Sequence, residues 1–113
     1  MNAVSTGAAS SVEAEPTFDE EGFLIDPASW SEELAEHLAN LIAGIRLTEA
    51  HWRIIYFVRS RVLRTGAIPP MRIICRQLGT ERDAVKGLFG GCLNLWRIAG
   101  LPNPGEEAKA HMD

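Results

Sequence analysis

The sequence predicts an all-α fold, a small orthogonal helical bundle carrying a short N-terminal β-hairpin, and three observations lead there. Apolar residues recur at three- and four-residue spacing through the middle of the chain, as in Trp52, Ile55, Tyr56, Val62 and Leu63, which is the pattern of amphipathic helices. Gly44, Gly66, Pro69-Pro70, Gly79, Gly90-Gly91 and Gly100 cut that pattern into short pieces, so the helices must turn sharply on one another. The chain has 113 residues, 46% hydrophobic and 23% charged, which supports one ordinary globular core.

Residues 1–16 are mostly Ser, Ala, Gly and Glu, with too little apolar area to offset the entropy of ordering them; they read as a flexible tail before a single domain over 17–105. In that domain Phe18 and Phe23-Leu24-Ile25 flank Asp19-Glu20-Glu21-Gly22, a turn sequence that predicts the hairpin. Asp26-Pro27 follows, and Ser29 or Ser31 can cap a helix running to about Ala43. Its apolar side is Trp30, Leu34, Leu38, Leu41 and Ile42, and Glu32, Glu33, Glu36 and Asn40 form the solvated side.

Thr48-Glu49 starts the longest helix, which continues to Arg64 before Thr65-Gly66 stops it. Ile68-Pro69-Pro70 then forces an extended corner, because a residue before proline is pushed out of the α region. Met71, Ile73, Ile74, Gln77 and Leu78 make a short helix ended by Gly79, and Thr80 caps another through Ala84, Val85, Leu88 and Phe89. A last helix runs from Leu93 to Ala99. Beyond Gly100, Leu101-Pro102-Asn103-Pro104-Gly105 reads as an extended C-terminal arm, and residues 106–113 as a flexible polar tail.

Charge and composition narrow the function. No stretch approaches the roughly 20 apolar residues of a membrane span, and residues 1–16 lack the positive charge and apolar block of a secretory signal, so the expected compartment is the cytoplasm. The net charge of −4 conceals an asymmetry. Arg46 is the one basic residue before His51, whereas Arg53, Arg59, Arg61, Arg64, Arg72, Arg76, Arg82, Lys86 and Arg97 face only Glu81 and Asp83 between His51 and Gly105. Arginine favours planar, bidentate partners such as carboxylate and phosphate.

Pro70 to Phe89 has helix-turn-helix spacing, which would place Glu81, Arg82 and Lys86 on the exposed face of a recognition helix. His37, His51 and His111 do not form a metal pair, and neither a metal nor a cofactor is expected. The 2 cysteines, Cys75 and Cys92, are the candidate nucleophiles. Cys75 falls on the buried side of its helix. Cys92 follows Gly90-Gly91 at the start of the last helix, where open N–H groups favour an anion, and so is the better candidate for a reactive thiol.

Several strings resemble one family. Gly22-Phe23-Leu24 with Asp26-Pro27 and Trp30, Leu47-Thr48-Glu49-x-His51-Trp52 with Phe57-Val58-Arg59, Ile68-Pro69-Pro70-x-Arg72, Leu88-Phe89, and Ile98-Ala99-Gly100-Leu101-Pro102-Asn103-Pro104 are similar to the DsrC/TusE sulfur-carrier family. The likeness runs from about Phe18 to Gly105. It implies a small helical fold with a mobile C-terminal arm and a cytoplasmic role in passing sulfur between proteins. In that family a cysteine near the end of the arm receives sulfur as a persulfide, and members acting with dissimilatory sulfite reductase use a second one upstream.

This sequence departs from the pattern at both positions. Counted from Ala99-Gly100-Leu101-Pro102, the upstream cysteine position holds Trp96 and the terminal one falls at about Glu107. The stretch between Arg72 and Leu88 is also several residues shorter. The reading that follows is a non-catalytic, regulatory or partner-binding member without redox cysteines. Its expected partners are proteins of a sulfur relay or of sulfite-reductase type, or DNA. Arg64, Arg72, Arg76, Arg82, Lys86 and Arg97 would form the binding surface, and Leu101, Pro102, Asn103 and Pro104 a docking arm whose prolines lower the cost of fixing it. The alternative is a sulfurtransferase whose persulfide sits on Cys92, one helical turn from Trp96, as in tRNA thiolation or dissimilatory sulfur metabolism.

Overall fold

The computed structural model describes residues 16–112 of the chain. The chain enters through a loop, makes one 3-10 turn at Pro27–Ser29, and then builds helices α1 (Glu32–Leu38), α2 (Glu49–Thr65), α3 (Met71–Leu78), α4 (Arg82–Phe89), α5 (Cys92–Ile98) and α6 (Glu106–Met112). Phe23, Ile55, Ile74, Phe89, Leu95 and Trp96 are fully enclosed and draw residues from the entry loop and α2 through α5 into one core. No helix among the described residues is long and apolar enough to cross a membrane. The expected N-terminal tail lies outside the described residues except for Pro16.

Local chemistry sets the helix starts. The Asp26 carboxylate accepts from the Ala28 N–H at 3.0 Å, with Pro27 pre-set for the turn. Ser31 Oγ accepts from the Leu34 N–H at 3.1 Å, which settles the cap of α1, and Glu32 and Glu33 complement the dipole in its first turn. After Leu38 the backbone widens into a π turn over Ala39–Ala43. The wider turn breaks the four-residue spacing, so Leu41, expected on the apolar side, is 70% exposed.

The cap of α2 combines two residues. Thr48 is the cap and His51 takes the place that glutamate usually fills, its Nδ1 accepting the Thr48 backbone N–H at 3.0 Å. His51 Nε2 donates to the Leu88 carbonyl at 2.7 Å, so the proton sits on Nε2 and the buried ring ties the start of α2 to α4. The ring also meets Phe89 edge-on, with centroids 5.0 Å apart.

Three expectations need correction. The N-terminal hairpin reduces to an isolated antiparallel bridge between Phe18 and Leu24, and no strand forms among the described residues. The Asp19 carboxylate accepts the N–H groups of both Glu21 and Phe23 at 2.9 Å, curling the segment into a loop, and Asp26-Pro27 redirects the chain at once. The cap of α4 is Glu81, not Thr80, with no side-chain bond to the helix. Finally, residues 106–112, expected as part of a flexible polar tail, are helical. Glu106 and Glu107 at the start of α6 and Lys109 and His111 at its end suit the helix dipole, while Met112 is buried.

Candidate functional site

The base of the C-terminal arm is the most elaborately built part of the molecule. Gly100 ends α5 with φ +68°, and its Cα lies against the Trp30 indole with no room for a side chain. Trp30 Nε1 donates to the Ile98 carbonyl at 3.0 Å. The Arg59 guanidinium stacks on the other part of that indole, 4.0 Å from the ring centroid. It also donates to the Ala99 carbonyl at 2.8 Å and, more weakly, to those of Gly100 and Pro27, both at 3.4 Å. Burial lowers the Arg59 pKa from its ordinary value, and the carbonyls around it supply the acceptors that a buried guanidinium requires. Leu101 is then fully enclosed, so the arm leaves the body only after it.

Beyond Leu101, Pro102 and Asn103 are exposed, but the chain does not project freely. Asn103 Nδ2 donates to Asp19 at 3.1 Å and to Glu21 at 3.2 Å. Lys109 of α6 forms ion pairs with Glu21 and with Glu106. Arg97 donates to the Glu21 carbonyl at 2.9 Å and lies 4.7 Å from the centroid of the Phe23 ring. Backbone N–H donation, chiefly from Phe23, holds the Asp19 carboxyl below its ordinary pKa, and the Lys109 ammonium does the same for Glu21. The entry loop thus fastens both arm and helix α6 to the body.

The cysteines are both in the core. Cys92 is fully buried at the start of α5, and Cys75 is 7% exposed on α3. Burial pushes the Cys75 thiol up, against the opposing charge of Arg82, which keeps it protonated near neutral pH. Of the positions that match the family's cysteines, Trp96 is a core side chain and Glu107 is exposed in the first turn of α6.

The arginines expected to form one binding surface divide into two groups. Arg82 and Arg97 are engaged: Arg82 donates to the His111 carbonyl at the end of α6, and Arg97 holds the entry loop. Arg64, Arg72 and Arg76 are exposed and Lys86 is half-buried. Arg53 and Arg59, which the sequence reading left out of the site, likewise donate to backbone carbonyls, Arg53 to that of Leu78 at 3.1 Å. Their signal was present in sequence as arginines inside an amphipathic helix, but their partners are carbonyls far away in the chain. The expected pairing of arginines with the acidic helix is not seen, since both ion pairs among the described residues belong to Lys109.

The helix-turn-helix expectation is also corrected. Helices α3 and α4 do pack as a pair, but Arg82 at the start of α4 caps α6, which would have to leave before that turn could enter a groove. Among the described residues no three His, Cys, Asp or Glu side chains converge as metal ligands.

This architecture has clear relatives. The family model described as DsrC like protein matches residues 11–106. Sulfurtransferase TusE of Sodalis glossinidius (strain morsitans) is 36% identical over 95 residues, covering 76% of this chain and 87% of the relative. Among solved structures, the oxidized gamma-subunit of the dissimilatory sulfite reductase (DsrC) from Archaeoglobus fulgidus superposes with a TM-score of 0.71 at 36% identity, covering 80% of this chain and 90% of that one. The solution structure of the Pyrobaculum aerophilum DsrC/gamma subunit of dissimilatory sulfite reductase gives 0.70 at 30% identity, covering 80% and 85%. With the helical body, the enclosed Gly100-Leu101 exit and a family match across most of its length, the chain belongs to the DsrC-like family of the sulfur-relay proteins.

Proposed function

We propose that this chain is a sulfur-relay protein of the sulfurtransferase kind, working with sulfurtransferase or sulfite-reductase-type partners and carrying sulfane sulfur on Cys92. The observation that carries the relay reading is the family match over residues 11–106, with relatives named sulfurtransferase TusE at 36% identity. Cys92 is favoured over Cys75 because burial holds the latter protonated. Attack of the Cys92 sulfur on the outer sulfur of a partner's persulfide forms one S–S bond and breaks another. The partner leaves as its thiol, taking the proton that Cys92 gives up, so no oxidant or reductant is consumed. Because Cys92 is fully buried, this transfer needs α5 to loosen at the Gly90-Gly91 joint when the partner docks.

A second reading, a docking or regulatory member that carries no sulfur, is favoured by that same burial and by Trp96 and Glu107 in the cysteine positions. Intact mass after incubation with a cysteine desulfurase and cysteine separates the two. Addition of one sulfur, lost in Cys92→Ser and kept in Cys75→Ser, supports the carrier. Absence of any addition to the wild-type chain overturns it in favour of the docking member.

A further inference from the structure

From His51 to Gly79 the sequence has Arg53, Arg59, Arg61, Arg64, Arg72 and Arg76 and not one aspartate or glutamate. Arg53 and Arg59 are tied to backbone carbonyls. The other four converge on one corner, where the end of α2 meets the start of α3. Arg61 lines a cleft of about 350 Å³ there, together with Thr65, Ile68, Pro69, Pro70 and Ile73. Arg64 lies three residues after Arg61 on α2, and Arg72 and Arg76 lie one turn apart on α3, on either side of Ile73 in sequence. Arg64, Arg72 and Arg76 are exposed and make neither hydrogen bond nor ion pair among the described residues, and Arg61 only approaches the Phe57 ring, at 5.8 Å. Apolar surface accompanies the charge: Leu63 is 52% exposed and Ile68 37%.

We propose that this corner is a docking site for an acidic, amphipathic segment of a partner protein, whose apolar side chain enters the Ile68–Ile73 cleft while its carboxylates pair with Arg61, Arg64, Arg72 and Arg76. Unpaired guanidinium groups around an apolar floor are the arrangement of a recognition surface, with a desolvated anchor at the centre and charge at the rim. Arginine pairs carboxylates bidentately and sets the register of the segment. The apolar floor favours a protein over nucleic acid, since a phosphate backbone offers nothing to fill it. The inference does not depend on Cys92 carrying sulfur, and its test does not read sulfur.

Fluorescence anisotropy on the full chain, with a labelled amphipathic peptide of glutamate and leucine as probe, tests it. Binding should weaken steeply with salt and be absent for the glutamine-for-glutamate peptide. It should fall by about tenfold or more both in the double variant Arg72→Gln/Arg76→Gln and in Ile73→Ser, with circular dichroism confirming the fold. No binding of the acidic peptide overturns the proposal. So does binding that survives either variant, or tighter binding of a DNA duplex to the same face.

Discussion

A Cβ placed on Gly100 would lie 2.6 Å from Cγ of Trp30, so these two residues meet with only hydrogen between backbone and indole. Alanine there would meet both the ring and an unfavourable φ of +68°. Gly100→Ala is expected to cost ~3 kcal/mol and lower the melting temperature by about 10 °C or more, as read by thermal circular dichroism. A melting temperature unchanged from wild type would show that the indole moves aside freely.

His51 makes a comparable case in the core. Removing it leaves the Leu88 carbonyl and the Thr48 N–H without their partner, and uncovers Phe89. His51→Ala should cost about 2–4 kcal/mol in urea unfolding, more than a surface substitution such as His37→Ala, which is expected to stay within about 0.5 kcal/mol.

The fastening of α6 depends on pH at both ends. Glu21 has its pKa depressed below 4.5, so the stability it gives is present above the unfolded value and is lost as pH falls through the folded one. Lys109 is raised above 10.5, so its share holds below that value and disappears as pH climbs through the folded one. The pair is therefore complete between these limits. The methyl resonance of Met112, followed by NMR as the sample is acidified below pH 4.5, should move toward its exposed position, and Glu21→Gln should shift it already at neutral pH.

The two family positions should respond to cysteine in opposite ways. Trp96→Cys removes an indole that is 1% exposed and should cost about 3–5 kcal/mol. Glu107→Cys changes an exposed side chain, so the fold should persist and the new thiol should accept sulfur from a desulfurase mixture at a higher rate than wild type. Intact mass and melting temperature together check both outcomes.

Periodicity and punctuation made the body legible: α2, α3 and α4 end where Gly66, Gly79 and Gly90 stand, and Ser31 caps where a hydroxyl was expected. What stayed hidden was long-range. Asp19 turns two apolar stretches into a loop by binding two amides at once, and the π turn after Leu38 shifts Leu41 to solvent, neither of which has a periodic signature. Helix α6 was missed because seven residues of mostly polar sequence are too short to be helical alone, and only the seat offered to Met112 stabilises them. At the site, Trp96 and Glu107 were located from the strings around Gly100. The division of the arginines was not, because carbonyl acceptors are present at every residue and leave no mark in the sequence.

Arg59 reaches residues 27, 99 and 100 from the middle of the longest helix, so the way in and the way out of the domain are knotted to one side chain. Whatever follows Leu101 is thereby mechanically insulated from the core. Evolution could rewrite the last dozen residues, exchanging a reactive thiol for a charged helix, without retuning the packing behind them.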